Sequence, residues 1–324
     1  MSCQIAVADI GGTHARFAIA EIADGKVVRL DAPVTLKVQE YGSLQVAWQA
    51  FGEILGRSLP RAAAIALATP ISGDVLKMTN NSWSIRPAQV NAMLGVDQNV
   101  LVNDFGAIGH AVASLPDDQF THLCGPVRPL PDSGVISVIG PGTGLGVASL
   151  LRAGDHYHVV ETEGGHIEYP SLDTTEEAIL ASLRAQYTRV SAERVVAGPG
   201  LSAIYKALAA IEGRAIVNRS DPELWDCALD GSDSLADAAF ERFCLSLGTV
   251  AGDIVLAQGA KGLVIAGGLG LRIADQLKQS GFASRFVAKG RFQKLMETIP
   301  VKCITYPQPG LYGAAAAFAQ KYAR

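Results

Sequence analysis

The sequence predicts an α/β fold built twice, with a cleft between the two halves. Three observations carry this. An apolar run reaches Asp9, turns on Gly11-Gly12-Thr13 and re-emerges as a second apolar run. A similar stretch follows 130 positions later, where Gly12-Thr13 falls on Gly142-Thr143. Between them, the strand-like run 99–102 delivers Asn103-Asp104 to a helical stretch, where open α/β sheets place their chemistry.

Composition bounds the rest. At 324 residues, one or two domains are expected, at roughly 150 residues each. With 49% hydrophobic and 18% charged residues, a large core is possible and disorder is excluded. The net charge is −4, and no basic block is present, so nucleic acid is not an expected partner. Every apolar run is cut by glycine or a charge before the ~18 residues of a membrane span. Asp9 interrupts the first run, so a signal peptide is not expected either. Cys3, Cys124, Cys227, Cys244 and Cys303 are scattered with no CxxC pair, which predicts a reduced, cytoplasmic compartment. In that compartment the sequons at Asn80 and Asn218 carry no meaning.

The elements follow in order. The runs around Gly11–Thr13 read as a hairpin, Asp24-Gly25 as a turn and 26–30 as a third strand. Over 43–59, Leu44, Ala47, Trp48, Phe51, Ile54 and Leu55 form a helical stripe, read as core packing. Residues 62–68 are a short buried strand. Residues 73–83 read as a hairpin leading to a polar loop with Asn80 and Asn81, and 87–94 as a helix. A strand over 99–102 precedes a helix from about 107 to 114. Residues 135–151 repeat the opening pattern of strand, glycine turn with threonine, and strand, and a further turn near Gly154-Asp155 matches Asp24-Gly25. Thr174-Thr-Glu-Glu177 reads as a capping box for a helix to about 189. Leu201, Ile204, Tyr205, Leu208 and Ile211 form a stripe closed by Gly213. A long helix is predicted over 232–259, with Gly248 and Gly252 one turn apart for a close backbone crossing. Residues 263–270 read as strand, glycine turn and helix, 301–306 as the last strand, and Pro309 opens a terminal helix.

The glycines at 11 and 12 admit backbone amides close to a ligand, and such amides form an anion site. An acid beside a phosphate cradle calls for a cation between them. The stretch therefore reads either as a metal–nucleotide phosphate site or as a tight hairpin with a buried acid. The repeat at 142–144 makes it half of a pair, and a third turn stands at 267–270. There is no G-x-x-x-x-G-K-[ST], no G-x-G-x-x-G unit with its acid, no G-x-S-x-G elbow and no H-E-x-x-H. Polar groups cluster at Asn80-Asn81, Asn103-Asp104, 163–166 and 191–194. Amide, carboxylate and imidazole groups with little charge imbalance suit a neutral polyhydroxylated ligand, since each unpaired donor or acceptor would cost ~1–3 kcal/mol. Glu163 and His166 lack a third metal ligand nearby, so zinc is not expected. Asn80 and Asn81 can also be read as a turn, and Glu193 as a surface acid on a helix. Asp104 competes between helix cap and base; the preceding asparagine and its strand-end position favour the base.

Taken together these motifs resemble the bacterial ATP-dependent glucokinases. They are Asp9-Ile-Gly-Gly-Thr-His-Ala-Arg16, Met78-Thr-Asn-Asn-Ser-Trp83, Asn103-Asp-Phe105, Gly140-Pro-Gly-Thr-Gly-Leu-Gly146, Glu161-Thr-Glu-Gly-Gly-His166, Ser191-Ala-Glu-Arg194, Ala197-Gly-Pro-Gly-Leu201, Ala266-Gly-Gly268 and Pro309-Gly-Leu311. The resemblance spans nearly the whole chain. It implies the duplicated actin-like (ribonuclease H-like) ATPase fold, with a small α/β domain over 1–110 plus about 307–324 and a large one over 111–306. It implies glucose held by Asn103, Asp104, Glu163, His166 and Glu193, with Asn81 added from the polar loop, and Asp104 as general base. ATP would lie on Ala8, Asp9, Ile10, Gly11, Gly12 and Thr13, on Gly142, Thr143 and Gly144, and near Gly267 and Gly268. Mg²⁺ would be served by Asp9 through water, and the enzyme would be a homodimer. The reaction would move the γ-phosphoryl group of ATP to the 6-hydroxyl of glucose, the first step of glycolysis. His14 departs from the asparagine of many relatives. The cysteine cluster and helix-turn-helix of the related repressor–kinases are absent. A kinase for mannose, fructose or an N-acetylhexosamine would share the nucleotide-side motifs, and a sugar sensor or assembly protein would need the turns without the base.

Overall fold

The computed structural model describes residues 2–78, 81–154 and 156–322. The chain divides into two compact units, Met1–Pro116 with Tyr306–Arg324, and Asp117–Thr305. Asn80, Thr79 and Asp155, which belong to two of the predicted turns, lie outside the described residues.

The first unit holds β1 (Ser2–Ile10), β2 (His14–Ala23), β3 (Lys26–Leu30), β4 (Val34–Lys37), β5 (Ala62–Leu67), the short pair β6 (Leu76–Lys77) and β7 (Ser84–Ile85), and β8 (Gln98–Asn103). Its main sheet runs β3-β2-β1-β5-β8, with β4 paired to β2. β1–β3 form an antiparallel meander, while β5 is parallel to both β1 and β8. The β2–β3 turn uses Asp24 and Gly25, both at positive φ, as a tight hairpin turn demands. β1 is apolar on both faces because both are covered. Ala6, Ala8 and Ile10 face Phe17, Ile65 and the helix Leu44–Leu55, whereas Ile5 and Val7 face Leu311, Ala315 and Phe318 of the terminal helix Pro309–Tyr322.

The second unit repeats this plan. β9 (Phe120–Cys124), β10 (Ser133–Pro141), β11 (Leu145–Ala153), β12 (His156–Thr162), β13 (Ala260–Ile265) and β14 (Val301–Ile304) form a sheet ordered β12-β11-β10-β13-β14-β9. The meander β10–β12 matches β1–β3, and the parallel steps β10-β13-β14 match β1-β5-β8. β9 is an antiparallel addition at the edge. The duplication seen in the sequence is therefore a duplication of topology. Its constant offset holds only beyond the turn. Ile10 pairs with Ala15, but Pro141 pairs with Leu145, so the second turn is one residue shorter.

Several boundaries differ from expectation. The helix Asp104–Ser114 begins at Asp104, not near 107, because the Asn103 side chain caps it. Ile54 and Ile211, placed in buried stripes, are 57% and 51% exposed and lie off the packed faces. The helix after 173 ends at Arg184, and its cap is Asp173, whose side chain accepts from the Glu176 N–H. Glu176 reaches back to the Leu172 N–H, so the reciprocal pair sits one residue earlier than predicted. The last strand stops at Ile304. The close crossing predicted at Gly248 and Gly252 is present: a Cβ there would come within 2.4 Å of the Phe282 carbonyl oxygen or 2.6 Å of that of Phe286.

Candidate active site

In the first unit the parallel register aligns Ile10, Leu67 and Asn103 in one row. The turn after β1 and the Asn103-Asp104 pair therefore share the carboxyl edge of one sheet, where such folds bind ligands. The Gly11 N–H donates to the His14 carbonyl at 3.0 Å and closes the turn. Asn81 ties the polar loop to this turn: its Nδ2 donates to the Gly11 carbonyl at 3.0 Å and its Oδ1 accepts from the Trp83 N–H at 2.8 Å. Gly12 and the exposed Thr13 line a polar cavity of about 490 Å³ with Asn81, Gln39, Glu40 and Tyr41. The segment 38–42 carries no motif and was not legible in the sequence. It is held by Val38 N–H to the Thr13 carbonyl (2.9 Å) and by Trp83 Nε1 to the Tyr41 carbonyl (2.9 Å).

Ala8 and Ile10 are core residues with fully buried side chains, so only their backbone can serve a ligand. Asp9 lies between two positive features. Arg16 approaches its carboxylate at 4.0 Å, and a Cβ at Gly310, in the first turn of the terminal helix, would come within 2.7 Å of Oδ2. A helix N-terminus favours an anion. Burial nonetheless raises the Asp9 pKa, and the charge of Arg16 only partly opposes this.

Asn103 accepts hydrogen bonds from the Phe105 and Gly106 N–H groups at 2.9 and 3.2 Å and donates to the Thr69 carbonyl at 3.3 Å. It takes the capping role between which and catalysis Asp104 was divided. Asp104 is left in the first helical turn, its Oδ1 2.9 Å from the Phe105 N–H.

In the second unit, Ile139, Ile265 and Cys303 align in the same way, so the turns at 142–144 and 267–268 share one sheet edge. They also touch: a Cβ at Gly267, whose φ is +81°, would lie 3.0 Å from the Pro141 carbonyl oxygen. The Gly142 N–H donates to the Gly144 carbonyl at 2.8 Å. Gly198 braces the turn from behind, donating to the Gly142 carbonyl at 2.7 Å, and Trp225 Nε1 holds the Gly198 carbonyl at 2.9 Å.

Leu145, the residue after this turn, joins it to the polar cluster. Its N–H donates to Glu193 Oε2 at 2.9 Å. Its carbonyl lies against Gly165, where a Cβ would come within 2.0 Å. Gly164–His166 form a single 3₁₀ turn preceded by Glu163, with the His166 N–H donating to the Glu163 carbonyl at 3.0 Å. The Glu163 and His166 side chains are exposed and stand 3.9 Å apart. The Ala192 N–H donates to the Ile167 carbonyl at 2.8 Å, which seats the helix carrying Glu193 beside that turn. Glu193 is thus a half-buried acid engaged with the glycine turn, not a surface acid. Among the described residues no His, Cys, Asp and Glu cluster suited to a metal ion occurs. No described helix is long and apolar enough to cross a membrane.

The sequence model of the glucokinase family matches residues 6–321. The glucokinase of Zymomonas mobilis is 59% identical over 319 residues, 98% of each chain. The crystal structure of a glucokinase from an Antarctic psychrotroph superposes with a TM-score of 0.85 at 33% identity, covering 98% of this chain and 99% of that one. A glucokinase of the ROK family from Streptomyces griseus, solved with glucose and AMPPNP, shares the actin-like fold at a TM-score of 0.65 and 16% identity, over 98% of this chain and all of that one. By its sequence match and its fold, the chain belongs to the glucokinase family.

Proposed function

We propose that the chain carries out the reaction of its family, the phosphorylation of glucose by ATP to glucose 6-phosphate, with Asp104 as general base. The chain is a glucose-phosphorylating kinase by its family and by its 59% identity to a glucokinase over nearly its whole length. The observation that carries the reading of the site is Leu145, whose backbone N–H meets Glu193 and whose carbonyl lies against Gly165, so that one residue after the glycine turn 142–144 touches both parts of the polar cluster. A phosphate-type turn and a sugar-type cluster built on one residue suit phosphoryl transfer to a sugar better than either would alone.

Asp104 accepts the proton of the 6-hydroxyl as that oxygen bonds to the γ-phosphorus and the bond to the β-phosphate oxygen breaks. Asn103 holds the helical turn on which Asp104 stands. Glu163, His166 and Glu193 orient the sugar hydroxyls, and Asn81 shapes the loop beside the first turn. Backbone N–H groups of 11–13 and 142–144 and the hydroxyls of Thr13 and Thr143 take the phosphates and stabilise charge as it moves. The nucleoside lies near Gly267 and Gly268, the second of which is open, since a Cβ there would meet nothing within 4 Å.

The residues at Asp9 fit Mg²⁺. One hard carboxylate beside a phosphate turn, approached by Arg16 only at 4.0 Å, is the sparse protein contribution that Mg²⁺ takes alongside phosphates and waters. When bound, the ion neutralises charge on the phosphate oxygens. The ATP analogue and glucose in the Streptomyces griseus structure support both substrates. The first unit is proposed as the small domain and the second as the large one, in a cytoplasmic homodimer.

A coupled ADP-release assay across a panel of hexoses and phosphoryl donors tests the reading. Turnover on glucose with ATP is expected. A higher kcat/KM on mannose, fructose or an N-acetylhexosamine would replace the sugar, and absence of turnover on every sugar would leave a sensor.

A further inference from the structure

At the amino ends of β10 and β13 the second unit encloses a cavity of about 720 Å³. This lies within the ~300–1,000 Å³ usual for small-molecule sites. The cavity is far from the glycine turns. At ~3.3 Å per residue, β10 separates its two ends by roughly 26 Å. Leu130, Val255, Met296 and Ile299 line it, none more than 6% exposed. Arg128 and Lys261 bring two cations to its wall, and Asp132 one acid.

Lys261 is placed there by a break in the sheet. The parallel register runs Val135 with Ala260 and then Ile136 with Gly262, so Lys261 is the extra residue of a bulge. A bulge re-aims a side chain out of the regular ladder. The lysine stem lies across Gly134, where a Cβ would come within 3.0 Å of Cδ and 3.3 Å of Nζ. Gly134 has φ +96°, so the backbone and the space both call for glycine. Arg128 donates to the carbonyl of Thr298 at 2.8 Å, a neutral partner that leaves its charge uncompensated. Among the described residues neither cation pairs with a carboxylate. The single acid, Asp132, is shared with Arg152, on which its charge also acts and which donates to the Pro131 carbonyl at 3.2 Å. The result is an apolar interior with an excess of positive charge at its wall.

We infer that this cavity binds an amphipathic organic anion, its apolar body against Leu130, Met296 and Ile299 and its head group at Arg128 and Lys261. The head is a carboxylate or a phosphate, since both meet two cations equally well.

Isothermal titration of the full chain with octanoate, octyl phosphate, octanol and acetate tests this. One or both of the eight-carbon anions should saturate, and octanol and acetate should bind about tenfold or more weaker, because a charge-assisted hydrogen bond adds to apolar burial. Whichever of octanoate and octyl phosphate is tighter identifies the head group. Lys261→Glu should weaken that anion about tenfold or more while glucose turnover stays unchanged, and Leu295→Trp, at the mouth, should abolish binding. If Lys261→Glu does not fold, Arg128→Ser gives the same reading. The inference fails if neither anion saturates, if octanol binds as tightly, or if the charge variant binds as well as the native chain.

Discussion

Glu193 accepts the Leu145 N–H at 2.9 Å, so an acid read as a sugar ligand also holds the end of the second glycine turn. The two tasks can be separated by chemistry. Glu193→Ala leaves that N–H without its acceptor, a loss of ~1–3 kcal/mol at a part-buried group. It should raise KM for glucose and for ATP together. Glu193→Gln keeps an oxygen acceptor and should raise KM for glucose alone. Steady-state kinetics with each substrate varied would check this, and equal effects of both variants on ATP would remove the coupling.

Gly165 tests the other side of the same residue. A Cβ there would lie 2.0 Å from the backbone oxygen of Leu145, which cannot turn away as a side chain could. Gly165→Ala should destabilise the fold by about 1–3 kcal/mol through overpacking and lower kcat/KM for glucose. Thermal melts of the purified variant read the first effect. An unchanged melt would mean that the 163–166 turn is free to shift.

Asn103 and Asp104 are adjacent and should fail differently. Asp104→Asn should lower kcat at least ~10²-fold with glucose binding largely kept, the usual size of a base's contribution. Asn103→Ala removes a helix cap and should cost about 1 kcal/mol of stability, with a smaller fall in kcat. Near-normal turnover in the first variant would remove Asp104 from its role.

These predictions also mark what was legible in the sequence. The strands, the duplicated glycine turns and the helix ends at Gly213 and Gly259 are written in local signals, since both glycines take the left-handed conformation that closes a helix, whereas the helix expected over 43–59 stops earlier, at Gly56. The edge strands β4 and β9 were not, because four or five mixed residues at a sheet edge carry no clear period. The start of the helix at Asp104 was missed because two consecutive polar residues both suit a cap, and only the Asn103 contacts decide between them. Glu193, Gly165 and Leu145 are far apart in sequence, so their junction is a tertiary fact with no local trace.

Burial pushes the His110 imidazole down from 6.5 to about 4. The unfolded chain therefore binds a proton that the folded chain refuses between these values. Stability from this group is complete above about pH 6.5 and is lost as the pH falls toward 4, by about 3 kcal/mol at ~1.4 kcal/mol per unit. His110→Gln should flatten that part of the stability profile. Denaturant unfolding of both proteins from pH 7 to pH 4 measures it, and parallel profiles would show that the imidazole is solvated.

The terminal helix Pro309–Tyr322 covers the face of the first sheet that carries Ile5, Val7, Ala64 and Val102. The whole second unit is synthesised between those strands and their cover. On the ribosome, the first unit is therefore an open half-sandwich with an oily face while the second unit has every strand it needs to fold. The nascent chain must keep that face from pairing with other chains until the final helix emerges, so its dependence on chaperones should fall on the part that is translated first.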